Sequence, residues 1–231
     1  MGPPPWRTDR PGPDVKHVPH LIVGAPWPKG DLPLSVFQWR HLTKVLRKRN
    51  GDDVTYSDGL GRFGTGKLGS QVIVRGEETM VPRPSTLTVA VAPPANKDRC
   101  RFLVEKLAEL GVARLIWLDT RHGQGKPPSD PKAFSWVLAA AEQSRAAWLM
   151  EIAPGRMRLA DLEPGYAVCD VNGMRETPDV TTVVIGPEGG WAEDEIPPGA
   201  HRWSLGSTVL RVETAAIVAA ARMLGDRGGG I

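Results

Sequence analysis

Two glycine-bearing segments near the C-terminus each follow directly after an apolar run typical of a buried strand. The first is Val183-Val184-Ile185-Gly186-Pro187-Glu188-Gly189-Gly190-Trp191, and the second is Trp203-Ser204-Leu205-Gly206-Ser207-Thr208-Val209-Leu210-Arg211. In open α/β sheets, ligands bind beyond the carboxyl ends of the strands. Glycine at such an end allows backbone N–H and C=O groups to approach a ligand closely, because no Cβ intervenes. Either segment alone could be a simple turn, but two in succession favour a ligand site.

Several common kinds of active site have no counterpart in the sequence. No Gly-x-Gly-x-x-Gly follows a strand and no Gly-Lys-Ser/Thr occurs, which argues against a dinucleotide fingerprint and a P-loop. There is no Gly-x-Ser-x-Gly nucleophile elbow and no histidine cluster at metal-ligand spacing. Cys100 and Cys169 lie far apart and form no Cys-x-x-Cys pair. Hydrolase and metalloenzyme functions lose support, and no metal site is expected.

An alternation of strands and helices must hold the two glycine segments. The sequence predicts a βαβ unit with a right-handed crossover. It consists of a strand at Leu87–Ala92, a helix that has Asn96 as its N-cap, and a second strand at Arg114–Leu118. Helical spacing puts one set of residues on the buried face of that helix: Cys100, Leu103, Val104, Leu107 and Ala108. It puts another set on the opposite face: Arg99, Arg101, Glu105, Lys106 and Glu109.

The rest of the C-terminal part continues the same pattern. A helix starting at Asp130-Pro131 is predicted to bury Phe134, Val137, Leu138 and Ala141. Further strands are predicted at 166–170, 181–185 and 202–205, and a last helix at 212–224. This order predicts an α/β domain with a mainly parallel sheet.

The N-terminal part has a different character. Arg40–Arg49 contains five Lys or Arg residues and no acid, which predicts a short basic helix ending at Asn50-Gly51. Short strands are predicted at 53–57, 62–68 and 71–75, and a small β-barrel would close them. The polar segment Glu77–Pro84 marks a domain boundary. We therefore expect a disordered proline-rich tail at 1–16, a small domain at 17–83 and a larger domain at 84–231.

The charges divide unevenly between these parts. Up to Arg83 there are 13 basic and 8 acidic residues, against 16 and 18 after it. Such asymmetry suggests that the small domain meets a polyanion, although a solvated basic face with no ligand would look similar. The tail lacks the apolar core of a secretory signal, and the apolar run Ala215–Ala221 is too short to span a bilayer. We expect a soluble cytoplasmic protein with no membrane partner.

Five motifs, taken together, resemble those of the SPOUT-class bacterial methyltransferases that modify N3 of a uridine in 16S ribosomal RNA. The C-terminal motifs are Gly186-Pro187-Glu188-Gly189-Gly190 and Leu205-Gly206, which leads into Val209-Leu210-Arg211 and Glu213-Thr214-Ala215. Upstream, Lys106–Val112 and Glu142-Gln143-Ser144-Arg145 are similar to two further segments of that family. In the first domain, His41, Val45-Leu46-Arg47 and Asp58-Gly59 resemble its PUA-like barrel. The order and spacing also match.

The resemblance implies a trefoil-knotted α/β domain, a preceding PUA-like RNA-binding barrel and a homodimer. It also implies that S-adenosylmethionine (SAM) binds in the knot and that the partner is 16S rRNA or the small ribosomal subunit. The residues expected to bind SAM are Ile185, Gly186, Pro187, Glu188, Gly189, Gly190, Leu205, Gly206, Val209, Leu210, Glu213 and Thr214.

Methylation of N3 requires the loss of a proton from the attacking nitrogen. Arg211 could stabilise the negative charge that develops on uracil, and Glu188 is the second catalytic candidate. Glu188 could equally cap the turn that follows it, and Glu213 is more readily explained as a helix N-terminal residue. Holding the nitrogen and the methyl in line requires no metal.

RNA contacts are expected mainly from the basic segment. The residues proposed for it are Arg40, His41, Lys44, Arg47, Lys48 and Arg49, with weaker candidates at Arg121, His122, Gln143 and Arg145. Trp191 could stack on a base or be a core residue. Ala146-Ala147-Trp148 and Thr208 stand where the family often has arginine. A divergent methyltransferase acting on another RNA, or a non-catalytic RNA-binding paralogue, therefore remains an alternative.

Overall fold

The computed structural model describes residues 18–225, so the tail predicted at 1–16 lies outside the described residues. A first, five-stranded sheet has the order β1-β3-β4-β5-β2. Its strands are β1 (His20–Ile22), β2 (Leu32–Pro33), β3 (Asp53–Ser57), β4 (Arg62–Leu68) and β5 (Val72–Met80). β1 and β3 are parallel and the other pairs are antiparallel. No helix within residues 18–225 is long and apolar enough to cross a membrane.

The second sheet is parallel, as predicted, and its path runs β12-β10-β11-β6-β7-β8, with β9 also paired to β7. Its strands are β6 (Thr88–Val91), β7 (Arg114–Asp119), β8 (Glu151–Ile152), β9 (Met157–Arg158), β10 (Tyr166–Met174), β11 (Thr182–Ile185) and β12 (His201–Trp203). The helices are α1 (Val36–Arg40) beside the first sheet, then α2 (Lys97–Glu109), α3 (Asp130–Ser144) and α4 (Val212–Gly225).

The βαβ unit β6-α2-β7 forms for the reasons its sequence indicates. The Asn96 side chain accepts hydrogen bonds from the backbone N–H groups of Asp98 (2.7 Å) and Arg99 (3.2 Å), which caps α2. The predicted apolar stripe of α2 is buried, so the helix packs against the sheet. β6 and β7 pair in parallel, with Thr88 opposite Arg114.

Alternate strand residues of the second sheet face two separate cores. Val89 and Val91 point toward α2, α3 and α4, whereas Ala90 between them faces the other side. Val183 and Val184 divide in the same way. The second side is covered by the short 3-10 helix Leu159–Asp161 and by the 191–200 segment rather than by long helices. The strands are therefore buried on both faces, which explains their continuous apolar sequence.

Three local predictions were wrong. The basic helix begins and ends earlier than expected: α1 starts after a capping box of Ser35 and Gln38 and continues as a π-helix, His41–Val45. β5 extends to Met80, so the start of the expected connection is strand. In α3, Phe134 is 50% exposed, whereas the buried face contains Ala133, Trp136, Val137, Ala140 and Ala141.

The two sheets meet along the segment that contains Ala146-Ala147-Trp148. The Ser57 hydroxyl donates to the Ala146 carbonyl (2.9 Å), and the Gly61 N–H donates to the Ala147 carbonyl (2.9 Å). The Trp148 indole N–H donates to the Val81 carbonyl at 2.8 Å. These residues, which depart from the family pattern, therefore hold the first sheet against the second.

A buried histidine supports this junction from the first sheet. His20 stacks on Phe63, and its ring nitrogens lie 2.9 Å from the Thr55 hydroxyl and 3.2 Å from the Ser57 hydroxyl. Burial lowers the pKa of His20 to about 4. The ring is neutral at physiological pH.

Candidate active site

Three neighbouring parallel strands, β10, β11 and β12, end at the same edge of the second sheet and surround a cavity of about 510 Å³. Both glycine segments lie in its wall. Nine of the residues expected to bind SAM line it: Ile185, Gly186, Pro187, Glu188, Gly190, Leu205, Gly206, Val209 and Leu210. Sequence spacing alone could place them at a sheet edge, because each segment follows a recognisable strand.

The other three residues expected to bind SAM do not line this cavity. Gly189 faces a smaller neighbouring cavity. Glu213 and Thr214 lie in the first turn of α4, where Glu213 is buried and Thr214 is exposed. Glu213 therefore acts on the site only through other residues.

The segment after β11 requires glycine at Gly186. A Cβ added there would lie 2.5 Å from Nε1 of Trp191, which is closer than side chains normally approach. Gly190 has a φ of +75°, a left-handed conformation that favours glycine. Trp191 is half-buried and packs between the cavity and the second core.

Arg99 joins the two acidic residues of the C-terminal motifs. Its Nε donates to Glu213 Oε1 at 2.8 Å, its Nη2 donates to Glu213 Oε2 at 2.6 Å, and it also pairs with Glu188. Because Arg99 is on α2, this contact fixes α4 and the β11 loop to the βαβ unit. The sequence assigned Arg99 to the solvent face, and its partner is 114 positions away along the chain.

The buried Glu213 carboxyl remains charged because of this arginine. Burial by itself would raise the pKa of Glu213, but the hydrogen bonds and charge of Arg99, with a smaller contribution from Arg211, bring it below its usual range. In return, the pKa of Arg99 is raised, first by Glu213 and then by Glu188. Arg99 is therefore a permanent cation in contact with Glu188, which lines the cavity.

Two further polar residues at the cavity rim were not among the residues predicted for the site. Asp170 in β10 and Arg202 in β12 both line the cavity and pair with each other. Both lie at or next to the ends of predicted strands, which is the signal that could have found them. Cys169 also lines the cavity, but burial raises the pKa of its thiol to about 12, so it is not a nucleophile.

Arg211 lies immediately before α4, and its side chain is exposed and lines neither of the two cavities described. Its carbonyl accepts from the Ala215 N–H at 2.8 Å, which starts the helix. The Arg211 side chain is therefore exposed to solvent and forms no part of either cavity wall.

The basic segment is exposed at Arg40, His41, Lys44, Arg47 and Arg49, whereas Lys48 is half-buried. The remaining RNA candidates have different surroundings. Arg121 pairs with Asp194, Arg145 donates to the Val18 carbonyl at 2.9 Å, and Gln143 is exposed. The side chains of Arg40, Lys44, Arg47 and Arg49 are thus exposed to solvent, whereas Arg121 and Arg145 make contacts within the protein.

Among residues 18–225, no group of three or more His, Cys, Asp or Glu side chains could hold a metal ion.

Comparison with known proteins assigns the chain. A sequence model described as an RNA methyltransferase domain matches residues 81–224. "Ribosomal RNA small subunit methyltransferase E" of Synechocystis sp. is 29% identical over 229 residues, covering 82% of this chain and 71% of the relative. The protein of that name from Rickettsia conorii is 28% identical over 210 residues, covering 78% and 81%.

The fold agrees with a solved structure of the same kind. The crystal structure of a "Ribosomal RNA small subunit methyltransferase E" from Neisseria gonorrhoeae, bound to S-adenosyl methionine, aligns with a TM-score of 0.75 and 26% identity. The alignment covers 90% of this chain and 98% of that one. These similarities confirm the resemblance drawn from the motifs. Because the family match covers more than half of its residues, the chain belongs to the RNA methyltransferase domain family, within the SPOUT-class ribosomal RNA methyltransferases.

Proposed function

We propose that this protein transfers the methyl group of SAM to N3 of a uridine in the 16S rRNA of the small ribosomal subunit. The observation that carries the proposal is the cavity formed by both glycine segments at the carboxyl ends of three adjacent parallel strands. The SAM-bound relative from Neisseria gonorrhoeae and the names of the curated relatives support the cofactor and the RNA.

The lining of the cavity fits SAM. Ile185, Leu205 and Leu210 offer apolar surface for an adenine ring, and the glycine backbone offers N–H and C=O groups for its edge. The exclusion of any Cβ at Gly186 keeps the backbone close to the ligand. Asp170 and Arg202 at the rim provide one charge of each sign, which suits the amino and carboxylate groups of the cofactor's methionine part.

SAM bound there would supply a methyl group on a positively charged sulfur. The residues of the chain must orient the acceptor and deal with its proton. Glu188 lines the cavity with its side chain about half exposed and tied to Arg99, so it is the proposed proton acceptor for N3–H. Arg211, an exposed cation just before α4, is proposed to stabilise negative charge on the uracil oxygens. Glu213 positions Arg99 and, through it, Glu188.

The first sheet is proposed to be a PUA-like RNA-binding barrel over residues 17–83, followed by the methyltransferase domain over 84–231. The end of β5 at Met80 and the start of β6 at Thr88 support a boundary in the connecting segment. The exposed charges of the basic segment, Arg40 to Arg49, suit phosphate groups. Binding through phosphates would place the RNA without reading its sequence.

A homodimer and a C-terminal trefoil knot are part of the proposal. Val209 lines the cavity yet is 87% exposed, and Val171 is 53% exposed beside it. Apolar side chains at the mouth of a binding site support a covering partner. The second subunit would then close the cofactor site of the first.

Transfer of labelled methyl from SAM tests the proposal. Small subunits that lack uridine N3 methylation are incubated with wild type or with Arg211→Ala, and the RNA is digested to nucleosides. We expect labelled 3-methyluridine from wild type and at least a tenfold slower reaction from Arg211→Ala. Label in another nucleoside would assign a different target, and SAM binding with no transfer to any RNA would indicate a binding protein.

A further inference from the structure

A second cavity, of about 290 Å³, lies beside the proposed SAM site. It is formed by the segments that follow β6, β7 and β11. Its lining residues are Pro93, Pro94, Ala95, His122, Gln124, Gly125, Pro187, Glu188, Gly189 and Val212.

The loop after β11 separates the two cavities. β11 is the strand between β6 and β10, so its loop has the first cavity on one side and the second on the other. Pro187, Glu188 and Val212 line both. A ligand in the second cavity would therefore lie next to a cofactor in the first, with the Glu188 carboxylate at the wall between them.

The second cavity combines close backbone packing with unused polar groups. A Cβ at Gly125 would lie 1.9 Å from the Pro93 carbonyl oxygen, so only glycine lets the loops after β6 and β7 meet. The rings of Pro93, Pro94 and Pro187 provide apolar surface. His122 and Gln124 are exposed, and the hydrogen bonds described for residues 18–225 include none from the imidazole or the amide. The lining is therefore mixed, with apolar rings beside unpaired polar groups, which suits a nucleobase because its faces are apolar and its edge is polar.

We infer that the second cavity receives the target uracil, with His122 and Gln124 donating hydrogen bonds to its carbonyl oxygens. The inference rests on the proposed function and specifies where the substrate binds. The base must leave its stack to reach such a pocket, as in other enzymes that modify bases. Bound there, its N3 would face the loop that carries Glu188.

The chemistry of the transfer explains why two donors are needed. When the N3–H proton passes to the Glu188 carboxylate, the negative charge left on uracil spreads over O2 and O4. N–H groups directed at these oxygens stabilise that charge as it develops. N3 then forms its bond to the methyl carbon as the carbon–sulfur bond breaks, and that electron pair stays on sulfur.

Steady-state methylation of small subunits lacking the modification tests the inference with Gln124→Ala and His122→Ala. Glu163→Ala serves as the control, because Glu163 is exposed and outside both cavities. SAM affinity is measured in parallel by calorimetry. We expect kcat/KM for the RNA to fall about 100-fold in Gln124→Ala, the loss typical of one removed oxyanion donor, with unchanged SAM affinity.

Two results would overturn the inference. If both variants methylate at the wild-type kcat/KM, the second cavity does not bind the base, although the proposed function stands. If SAM affinity falls in proportion to kcat/KM, His122 and Gln124 serve the cofactor instead. A wild-type protein that transfers no methyl to any RNA would refute the proposed function itself, and the inference with it.

Discussion

Replacing Arg99 with alanine should destabilise the protein far more than an ordinary surface substitution. Arg99→Ala would leave the Glu213 carboxylate, whose side chain is only 8% exposed, without its bidentate partner. Removing one partner of a buried ion pair costs about 3–5 kcal/mol, because the other charge remains buried and uncompensated. Arg99 itself is 24% exposed and water can partly replace it, so we expect about 3 kcal/mol.

Urea and thermal unfolding measure this loss. For a chain of this size, about 3 kcal/mol lowers Tm by roughly 6–12 °C. Arg101→Ala is a matched control on the same helix, because Arg101 is 58% exposed and pairs only with Glu105. That surface pair is worth about 1 kcal/mol or less. Equal destabilisation by Arg99→Ala and Arg101→Ala would refute the reasoning.

The pH dependence gives an independent check on the same explanation. In the wild type the pKa of Glu213 is below its usual range, so its ion pair stabilises the fold above the unfolded pKa of 4.5 and is lost as pH falls. Without Arg99, burial is opposed only by the backbone hydrogen bond of Glu213 and by Arg211, so the pKa of Glu213 should rise toward or above 4.5. The stability difference between the two proteins should therefore shrink as pH is lowered below that value. Adding Glu213→Gln to Arg99→Ala should recover part of the loss at neutral pH.

Three other predictions concern the first sheet. The pKa of His20 is lowered from 6.5 to about 4, so the unfolded state binds a proton at this histidine before the folded state does as pH falls. The free energy of unfolding should therefore fall by about 3 kcal/mol between pH 6.5 and 4. A His20→Gln variant should lack this part of the pH profile. Gly61→Ala should lower the free energy of unfolding in urea by about 1–3 kcal/mol, because its Cβ would lie 2.5 Å from the Trp148 side chain at a φ of +107°. Gly24→Ala is the control and should cost little, because its Cβ would meet nothing within 4 Å. Equal costs for the two variants would contradict the packing argument. Lys44→Ala should weaken binding to small-subunit RNA and reduce the slope of log affinity against log salt by about 1, and an unchanged slope would remove Lys44 from the RNA interface.

The sequence predicted the parts of the fold that depend on local periodicity. β6, α2 and β7 have clear apolar patterns, a capping asparagine and a short turn, and all three form as expected. The cavity edge was also predictable, because both glycine segments follow buried strands. The capping box of Ser35 and Gln38, which was not predicted, explains why α1 begins before the basic residues.

The misses involve residues whose surroundings come from distant parts of the chain. Arg99 lies on the face of α2 that its sequence pattern assigns to solvent. Its contact with Glu213 is buried only because α4 packs against that face. In α3, Phe134 and Trp136 are both apolar, and packing against α2 selects the stripe that contains the tryptophan. The end of β5 carries Glu77 and Glu78, which suggest a linker, but pairing with β4 extends the strand.

The strand order of the second sheet also has a consequence for protein synthesis. β6 is central, yet its neighbour β11 follows far later in the chain, with Thr88 pairing to Thr182. At 5–20 residues per second, a ribosome needs roughly 5 to 20 s to make the intervening segment. During that time β6 has an unpaired edge and exposes Val89, Ala90 and Val91, all fully buried in the finished protein. The newly made chain therefore passes through an aggregation-prone interval, and its yield should depend on chaperones and on the rate of translation across residues 92–185.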